Sequence, residues 1–357
     1  MTASPAPSFY ASRLRPLLFR LDPERAHDLA ALAARCAVSN RLLERVFLSG
    51  LRYTSGRLAV SIAHLHAAAP LGVAAGLDKA GTLYPFLAAC GFGHVESGTF
   101  TALAQRGNPK PRLFRFPKHG AIVNRMGFNN PGAARAAEVI GHQARSVPRG
   151  ISLGKSRLAD DAAADLAQAL RPLAPWADYL AINVSSPNTP GVRDLQSEGA
   201  LRSLFGVVRE IAPRCPLFLK LAPDLSEPDF DRLVDVAEEL GASALILTNT
   251  TLSRRGVPEA EGLEGGLSGE PLRDRATAWI RRAYRRSDGR LPIVGVGGIF
   301  QVEHAIEKIR AGATWLQAYS GFVYAGPGFA VDLHRALDRR LEDSGSTLAQ
   351  WVGSDAG

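Results

Sequence analysis

The amino-acid sequence predicts an α/β fold, a closed (β/α)8 barrel preceded by an N-terminal helical extension. Three observations carry the prediction. From Leu71 onward, short apolar runs alternate eight times with segments of helical periodicity. Polar side chains and glycines gather at the C-terminal ends of those runs, where a parallel barrel builds its site. No Gly-x-Gly-x-x-Gly follows any of them, which argues against a Rossmann domain. The expected organisation is residues 1–50 as amphipathic helices, 51–345 as the barrel and 346–357 as a tail.

In chain order, Met1–Ser8 is expected to fray around Pro5 and Pro7. Tyr10, Leu14, Leu17 and Leu21 recur at helical spacing, and Pro16 marks a kink or a start within that run. Asp22-Pro23-Glu24 reads as an N-cap, a proline at the first helical position and an acidic first turn. The helix that follows runs to about Val38, with Leu29, Leu32, Ala33 and Cys36 on one face, and a shorter one covers Arg41 to Phe47. A helix of about 14 residues is about 20 Å long, too short to cross an apolar core of about 30 Å. The residues fit two arrangements equally, one with the apolar face on a membrane surface and one with it packed on the barrel. Leu58–His66 suggests a hairpin, and its His64-Leu65-His66 matches a metal-binding spacing. The later strand ends supply Lys220, Asn249 and Ser320 rather than further ligands, so no metal is expected.

Barrel strands are expected at Leu71–Ala75, His94–Gly98, Gly150–Gly154, Tyr179–Val184, Leu217–Leu221, Ala244–Thr248, Pro292–Val296 and Trp315–Tyr319. Helices lie between them, among them Leu201–Ile211, Pro228–Leu240, Leu272–Tyr284, Val302–Ala311 and Gly328–Leu341. Lys110–Phe128 interrupts the rhythm after the second strand and reads as a hairpin lid. Ala181–Gln196 breaks from a buried strand into Ser-Ser-Pro-Asn-Thr-Pro-Gly. Two prolines and a glycine stiffen that loop, which presents Asn183, Ser185, Ser186, Asn188 and Thr189. Read alone, it is as well explained by a turn whose polar groups cap the backbone.

The strand ends carry amides, two lysines (Lys79 and Lys220) and no carboxylate cluster. That inventory suits an anionic, amide-bearing planar substrate and not glycoside hydrolysis. Gly295–Ile299 and Tyr319–Gly321 end the seventh and eighth strands, the phosphate position of such barrels, and Gly265–Gly269 could wrap the same ligand. A phosphate-tailed cofactor follows, and FMN fits better than pyridoxal phosphate.

Of 357 residues, 46% are hydrophobic and 21% charged, as in an ordinary globular protein. No apolar run approaches the roughly 20 residues of a membrane span, and no signal-peptide pattern opens the chain. Cys36, Cys90 and Cys215 are far apart, which fits a reducing compartment. The net charge of +8 is carried mostly by arginine with no concentrated block, so nucleic acid is not an expected partner.

The loop at Asn183–Gly191 resembles the signature of the dihydroorotate dehydrogenases, and the likeness runs from about Phe9 to Gly326. Its other blocks are Leu21–His27, Ala74–Lys79, Pro111–Arg115, Asn124–Asn130, Thr248–Leu252, Gly265–Gly269, Gly295–Ile299 and Tyr319–Phe322. Ser186 stands where the quinone-using, membrane-associated class carries its catalytic base and the soluble class has cysteine. The resemblance implies that Ala75, Gly76, Lys79, Thr99, Asn183, Lys220, Thr248, Gly269, Gly298, Tyr319 and Ser320 hold FMN. It implies that Lys79, Asn124, Arg125, Met126, Gly127, Phe128, Asn183, Asn188, Asn249 and Thr250 hold dihydroorotate or orotate. His27 and Arg115 would flank a tunnel for a membrane quinone, ubiquinone or menaquinone. Ser152 departs from the family's usual asparagine and is left out of the flavin contacts. The implied protein is a monomer bound peripherally to the cytoplasmic face of the inner membrane. The alternative is a soluble FMN barrel passing electrons to fumarate or NAD.

Overall fold

The computed structural model describes residues 9–189 and 191–357; Met1–Ser8 and Pro190, both part of the expectations above, lie outside the described residues. Eight strands form the barrel: β1 (Leu71–Val73), β2 (Val95–Phe100), β3 (Arg149–Leu153), β4 (Tyr179–Asn183), β5 (Leu217–Leu221), β6 (Ala244–Leu247), β7 (Ile293–Val296) and β8 (Trp315–Ala318). Their order around the barrel follows the chain, every neighbour is parallel, and β8 closes on β1. All eight expected strands are present. They read as continuous apolar runs because each is buried on both faces, by the barrel interior and by the helical ring. In the helix Glu198–Ile211, Leu201, Leu204, Phe205 and Val208 form the buried stripe at the spacing the sequence predicts.

The two ends of the barrel are closed differently. At the N-terminal end, the hairpin Val60–Ile62 and Leu65–Ala67 packs Ile62 and Leu65 beneath Tyr179, Phe218 and Trp315. His64 is exposed there, and His66 Nδ1 lies 3.1 Å from Ser61 Oγ, far in chain and fold from the strand ends. At the C-terminal end sits the lid, which has three strands rather than the expected two. Leu113–Phe116 and Ala121–Asn124 form the hairpin, and Gly266–Gly269 pairs antiparallel with the second. The glycine run expected to wrap a phosphate is therefore mainly a strand. A Cβ on Gly269, whose φ is +102°, would lie 2.0 Å from Gly120 O, so only glycine permits this approach.

The N-terminal extension is helical as expected. A wide turn at Tyr10–Leu14 leads into one α-helical turn, Arg15–Leu18, with Pro16 in its first positions. In the helix Pro23–Ala37, Asp22 Oδ1 accepts from Glu24 N at 3.1 Å and Arg25 N at 3.0 Å. The next helix, Arg41–Leu48, is capped by Asn40, which accepts from Leu43 N at 2.8 Å. Pro23–Ala37 turns small residues, Ala26 and Ala34, towards the barrel and leaves Leu29 and Leu32 52% and 51% exposed. Phe9, Leu14, Leu17, Leu42 and Val46 are exposed as well. Among the described residues no helix is long and apolar enough to cross a membrane.

One buried ion pair ties this extension to the lid. Arg112 donates to both Glu24 carboxylate oxygens, at 2.6 and 3.2 Å, with Lys110 Nζ 3.3 Å away. Residues 346–357, expected as a tail, pack instead. Thr347 and Gln350 form a capping box, and buried Trp351 lies under the Arg310 guanidinium, 5.0 Å from the ring centre.

Candidate active site

A cavity of about 1090 Å³, its open mouth included, occupies the C-terminal end of the barrel beneath the lid. It gathers residues from all the barrel strand ends but the third that the sequence singled out, and from the lid. Ala75, Gly76 and Lys79 follow β1, and Thr99 lies within β2. Asn183, Ser186 and Asn188 come from β4 and its loop, Lys220 from β5, and Thr248, Asn249 and Thr250 follow β6. Gly298 follows β7, Tyr319 and Ser320 follow β8, and the lid adds Asn124, Met126, Gly127, Phe128 and Gly269.

Four asparagines set the geometry. Asn183 Oδ1 accepts from Asn249 Nδ2 at 3.2 Å and from Ser185 Oγ at 3.0 Å, while its Nδ2 donates to Thr99 Oγ1 at 3.1 Å. Across the mouth, Asn188 Nδ2 donates to Asn124 Oδ1 at 3.2 Å. Ser186 is buried and its Oγ accepts from Asn188 N at 3.2 Å. The oxygens Asn188 Oδ1 and Thr250 Oγ1 are buried without any partner. Such orphaned acceptors are costly and are the groups a polar ligand would satisfy.

The lysines supply charge. Among the described residues neither Lys79 nor Lys220 makes an ion pair. Burial pulls Lys79 down to about 8, with Glu24 opposing. Burial also lowers Lys220, opposed by the buried Glu96. Two desolvated ammonium groups with no carboxylate in ion-pair contact favour an anionic ligand. At the far end, Gly297, Gly298, Ser320 and Gly321 line the cavity, and Ser320 Oγ lies 2.9 Å from Ser268 Oγ. At Gly298, φ +73°, a Cβ would sit 2.4 Å from the Arg273 Cβ, so the backbone itself forms this wall. Glycine backbone, paired hydroxyls, orphan acceptors and free lysines fit a phosphate-tailed, polar aromatic cofactor.

The sequence profile of the dihydroorotate dehydrogenases matches residues 57–341. This chain belongs to the dihydroorotate dehydrogenase family. It is similar to the dihydroorotate dehydrogenase (quinone) of Anaeromyxobacter sp. (strain K), 48% identical over 359 aligned positions that cover 96% of each chain. It is 44% identical to that of Mycobacterium sp. (strain KMS), over 96% of this chain and 97% of the relative. Among solved structures it is similar to Eimeria tenella DHODH in complex with ferulenol. The TM-score there is 0.85 and the identity 32%, covering 95% of this chain and 98% of that one.

Within this dihydroorotate dehydrogenase, three of the expected site residues lie outside the cavity. Arg125 donates to Pro111 O at 3.2 and 3.1 Å and pairs with Glu264 at 3.0 Å. It follows Asn124 on an alternating strand, so its side chain leaves by the opposite face. His27 lines a neighbouring open cleft, about 1470 Å³ with its solvent-filled mouth included, that shares Lys79, Met126 and Asn129 with the cavity. Burial, with Lys79 adding to it, pushes His27 down to about 4, so its imidazole is neutral at pH 7. Arg115 instead donates to the carbonyls of Leu18, Phe19 and Leu21 and lies 4.4 Å from the Phe19 ring centre. The cleft that holds His27 does not include Arg115.

Other residues line the cavity without having been singled out. Gln317 is the clearest, and Leu113, Ile122, Leu272 and Val296 add apolar wall. Two residues before Tyr319, Gln317 shares its inward face, so the strand period could have found it. Its Nε2 donates to Glu96 Oε2 at 2.9 Å, and Tyr179 donates to the same oxygen at 3.2 Å. Ser152 is fully buried against Thr99, 3.0 Å between hydroxyls, and does not line the cavity.

Proposed function

We propose that this chain oxidises dihydroorotate to orotate with bound FMN and a quinone as electron acceptor, a step of pyrimidine synthesis. The observation that carries the reading is the meeting of Ser186, the asparagine set and unpaired Lys79 in one cavity, in a chain matched along nearly its whole length by quinone-class relatives. Lys220, Thr99, Tyr319, Ser320 and the Gly298 backbone would hold FMN, and Lys79, Asn124, Asn188, Asn249 and Thr250 the substrate. Bound FMN supplies the two-electron acceptor for the hydride that leaves the substrate ring.

The chain's own residues do the rest. Lys79 meets the substrate carboxylate and offsets charge that develops as the ring loses its proton. The asparagines donate to and accept from the amide edges of the ring, which fixes its orientation. Ser186 Oγ takes the proton from the carbon neighbouring the one that gives up hydride. Among the described residues no histidine, lysine or carboxylate bonds to Ser186, so the hydroxyl passes its proton on through a neighbouring hydroxyl or water in this reading.

The extension serves the second substrate in this reading. Its outward leucines and phenylalanine support peripheral attachment to a membrane, with exposed arginines meeting lipid phosphates on the cytoplasmic face. His27 and Arg115, both at the junction of extension and barrel, lie on the quinone's approach. A monomer is the expected state in detergent, to be checked by sedimentation. The decisive experiment offers purified protein dihydroorotate with quinone, fumarate or NAD separately. Turnover should require quinone, and equal turnover with fumarate or NAD would refute the acceptor.

A further inference from the structure

We infer that Asp224 is a positioning residue that latches the Ser186 loop closed, joining it to the loop that carries Asn249 and Thr250. The inference rests on the function proposed above, in which Ser186 must sit over a ring held by those residues.

Three strand-end loops converge on this one carboxylate. Asp224 follows β5, and its side chain is only 17% exposed. Its Oδ2 accepts from the Arg193 guanidinium at 3.0 Å and from Leu252 N at 2.9 Å. Its Oδ1 accepts from the Thr251 hydroxyl at 2.5 Å. Arg193 closes the loop that begins at Ser185, whereas Thr251 and Leu252 directly follow the ring-holding Asn249 and Thr250. Asp224 therefore braces the outer ends of the two loops, whose inner ends meet directly where Asn249 Nδ2 donates to Ser185 Oγ at 2.9 Å.

One side of the joint is rigid and the other releasable. Pro223 O receives Trp279 Nε1 at 2.9 Å and Arg275 Nε at 2.6 Å, which pins the β5 loop to the helix Arg273–Arg286. On the other side the Arg193 guanidinium reaches Asp224 through one nitrogen, and its Nε is buried with no acceptor. Among the described residues one further hydrogen bond, Ala222 N to Gln196 Oε1 at 3.2 Å, joins the β5 loop to the Ser186 loop's far end. A single charge-assisted bond is strong enough to hold a loop and weak enough to break in each turnover. Asn188 bonds Asn124 across the mouth, so release of a ring-sized ligand past it needs this loop to lift.

The test uses the flavin-loaded full chain and two variants that cut the same contact from either side, Asp224→Asn and Arg193→Gln. Loss of one charge-assisted bond corresponds to about a tenfold change in an equilibrium. In both variants orotate should therefore dissociate about tenfold faster in stopped flow. The limiting rate of flavin reduction should fall several-fold while flavin content stays that of the parent. The double variant should match the more affected single, because both remove one interaction. A purely structural role would lower flavin content instead.

A ligand-free arm separates the latch from the function it serves. Trypsin should cut after Arg193 about tenfold faster in Asp224→Asn than in the parent, with no substrate present. A parent that fails to bind orotate would refute the proposed function, and the trypsin arm would still decide the latch. Orotate dissociation within about twofold of the parent in both singles, or an unchanged cleavage rate, overturns the inference. Should Asp224→Asn fail to fold, Thr251→Val tests the same cleavage from the neighbouring loop, and Arg193→Gln carries the release arm.

Discussion

The charge on Lys79 makes orotate binding depend on pH in a way that can be worked out. Burial removes water from its ammonium group and brings it down to about 8, against the ordinary value of 10.5, while Glu24 pulls the other way. If the protonated form alone meets the carboxylate, the apparent dissociation constant scales as one plus the ratio of neutral to charged lysine. That factor is about 1.1 at pH 7 and about 11 at pH 9 for a group titrating at about 8, a loss of about tenfold. The sign is fixed by burial: the interaction is full below the lysine's own value and is lost as pH rises through it. Glu24→Gln removes the opposing carboxylate, so the break should move to lower pH. The assay is a titration of flavin absorbance with orotate from pH 6 to 10, on the parent and on Glu24→Gln. Binding that stays flat to pH 9.5 in the parent would refute the assignment of Lys79 as the anion's partner.

Three further outcomes are expected. Ser186→Ala should slow flavin reduction by dihydroorotate about 10²–10⁴-fold in single-turnover stopped flow with little change in orotate affinity, and a loss within about threefold would move the base elsewhere. Leu29→Ser with Leu32→Ser, both at half-exposed positions, should leave the melting temperature unchanged and weaken liposome binding by roughly tenfold to thirtyfold; unchanged sedimentation with vesicles would refute the membrane-facing helix. Burial pushes His94 down to about 3, with His334 adding, and burial pushes His334 down to about 4. Their contribution to stability is therefore full above the unfolded value of about 6.5 and is lost as pH falls below it. At pH 5 each costs about 2 kcal/mol, so denaturant midpoints should drop between pH 7 and 5, less so in His94→Asn; equal slopes in the two proteins would refute it.

What the sequence determined by itself is the part written locally. Strand and helix periods mark all eight alternations, because both faces of each strand and one stripe of each helix are buried. Asp22 and Pro23 mark a helix start through contacts two and three residues away. The polar loop after β4 points to the site only together with the family motif it matches, since by itself it reads equally well as a turn whose polar groups cap the backbone.

Tertiary structure decided what depends on partners distant in the chain. Which face of Pro23–Ala37 meets the barrel could not be read from its amphipathic pattern, because leucine and alanine faces both suit a helix. The Glu24–Arg112 pair, 88 residues apart, turns the alanines inward and leaves the leucines exposed. The lid's third strand has the same origin: Gly266–Gly269 reads as a loop until Ala121–Asn124 lies beside it. Strand alternation then sends Asn124 into the cavity and Arg125 out of it, although the two are adjacent in the sequence. Asp224 and Glu96 carry no local signal at all. A buried carboxylate is defined by the donors that surround it, and here those donors come from strands and loops that meet only when the barrel closes.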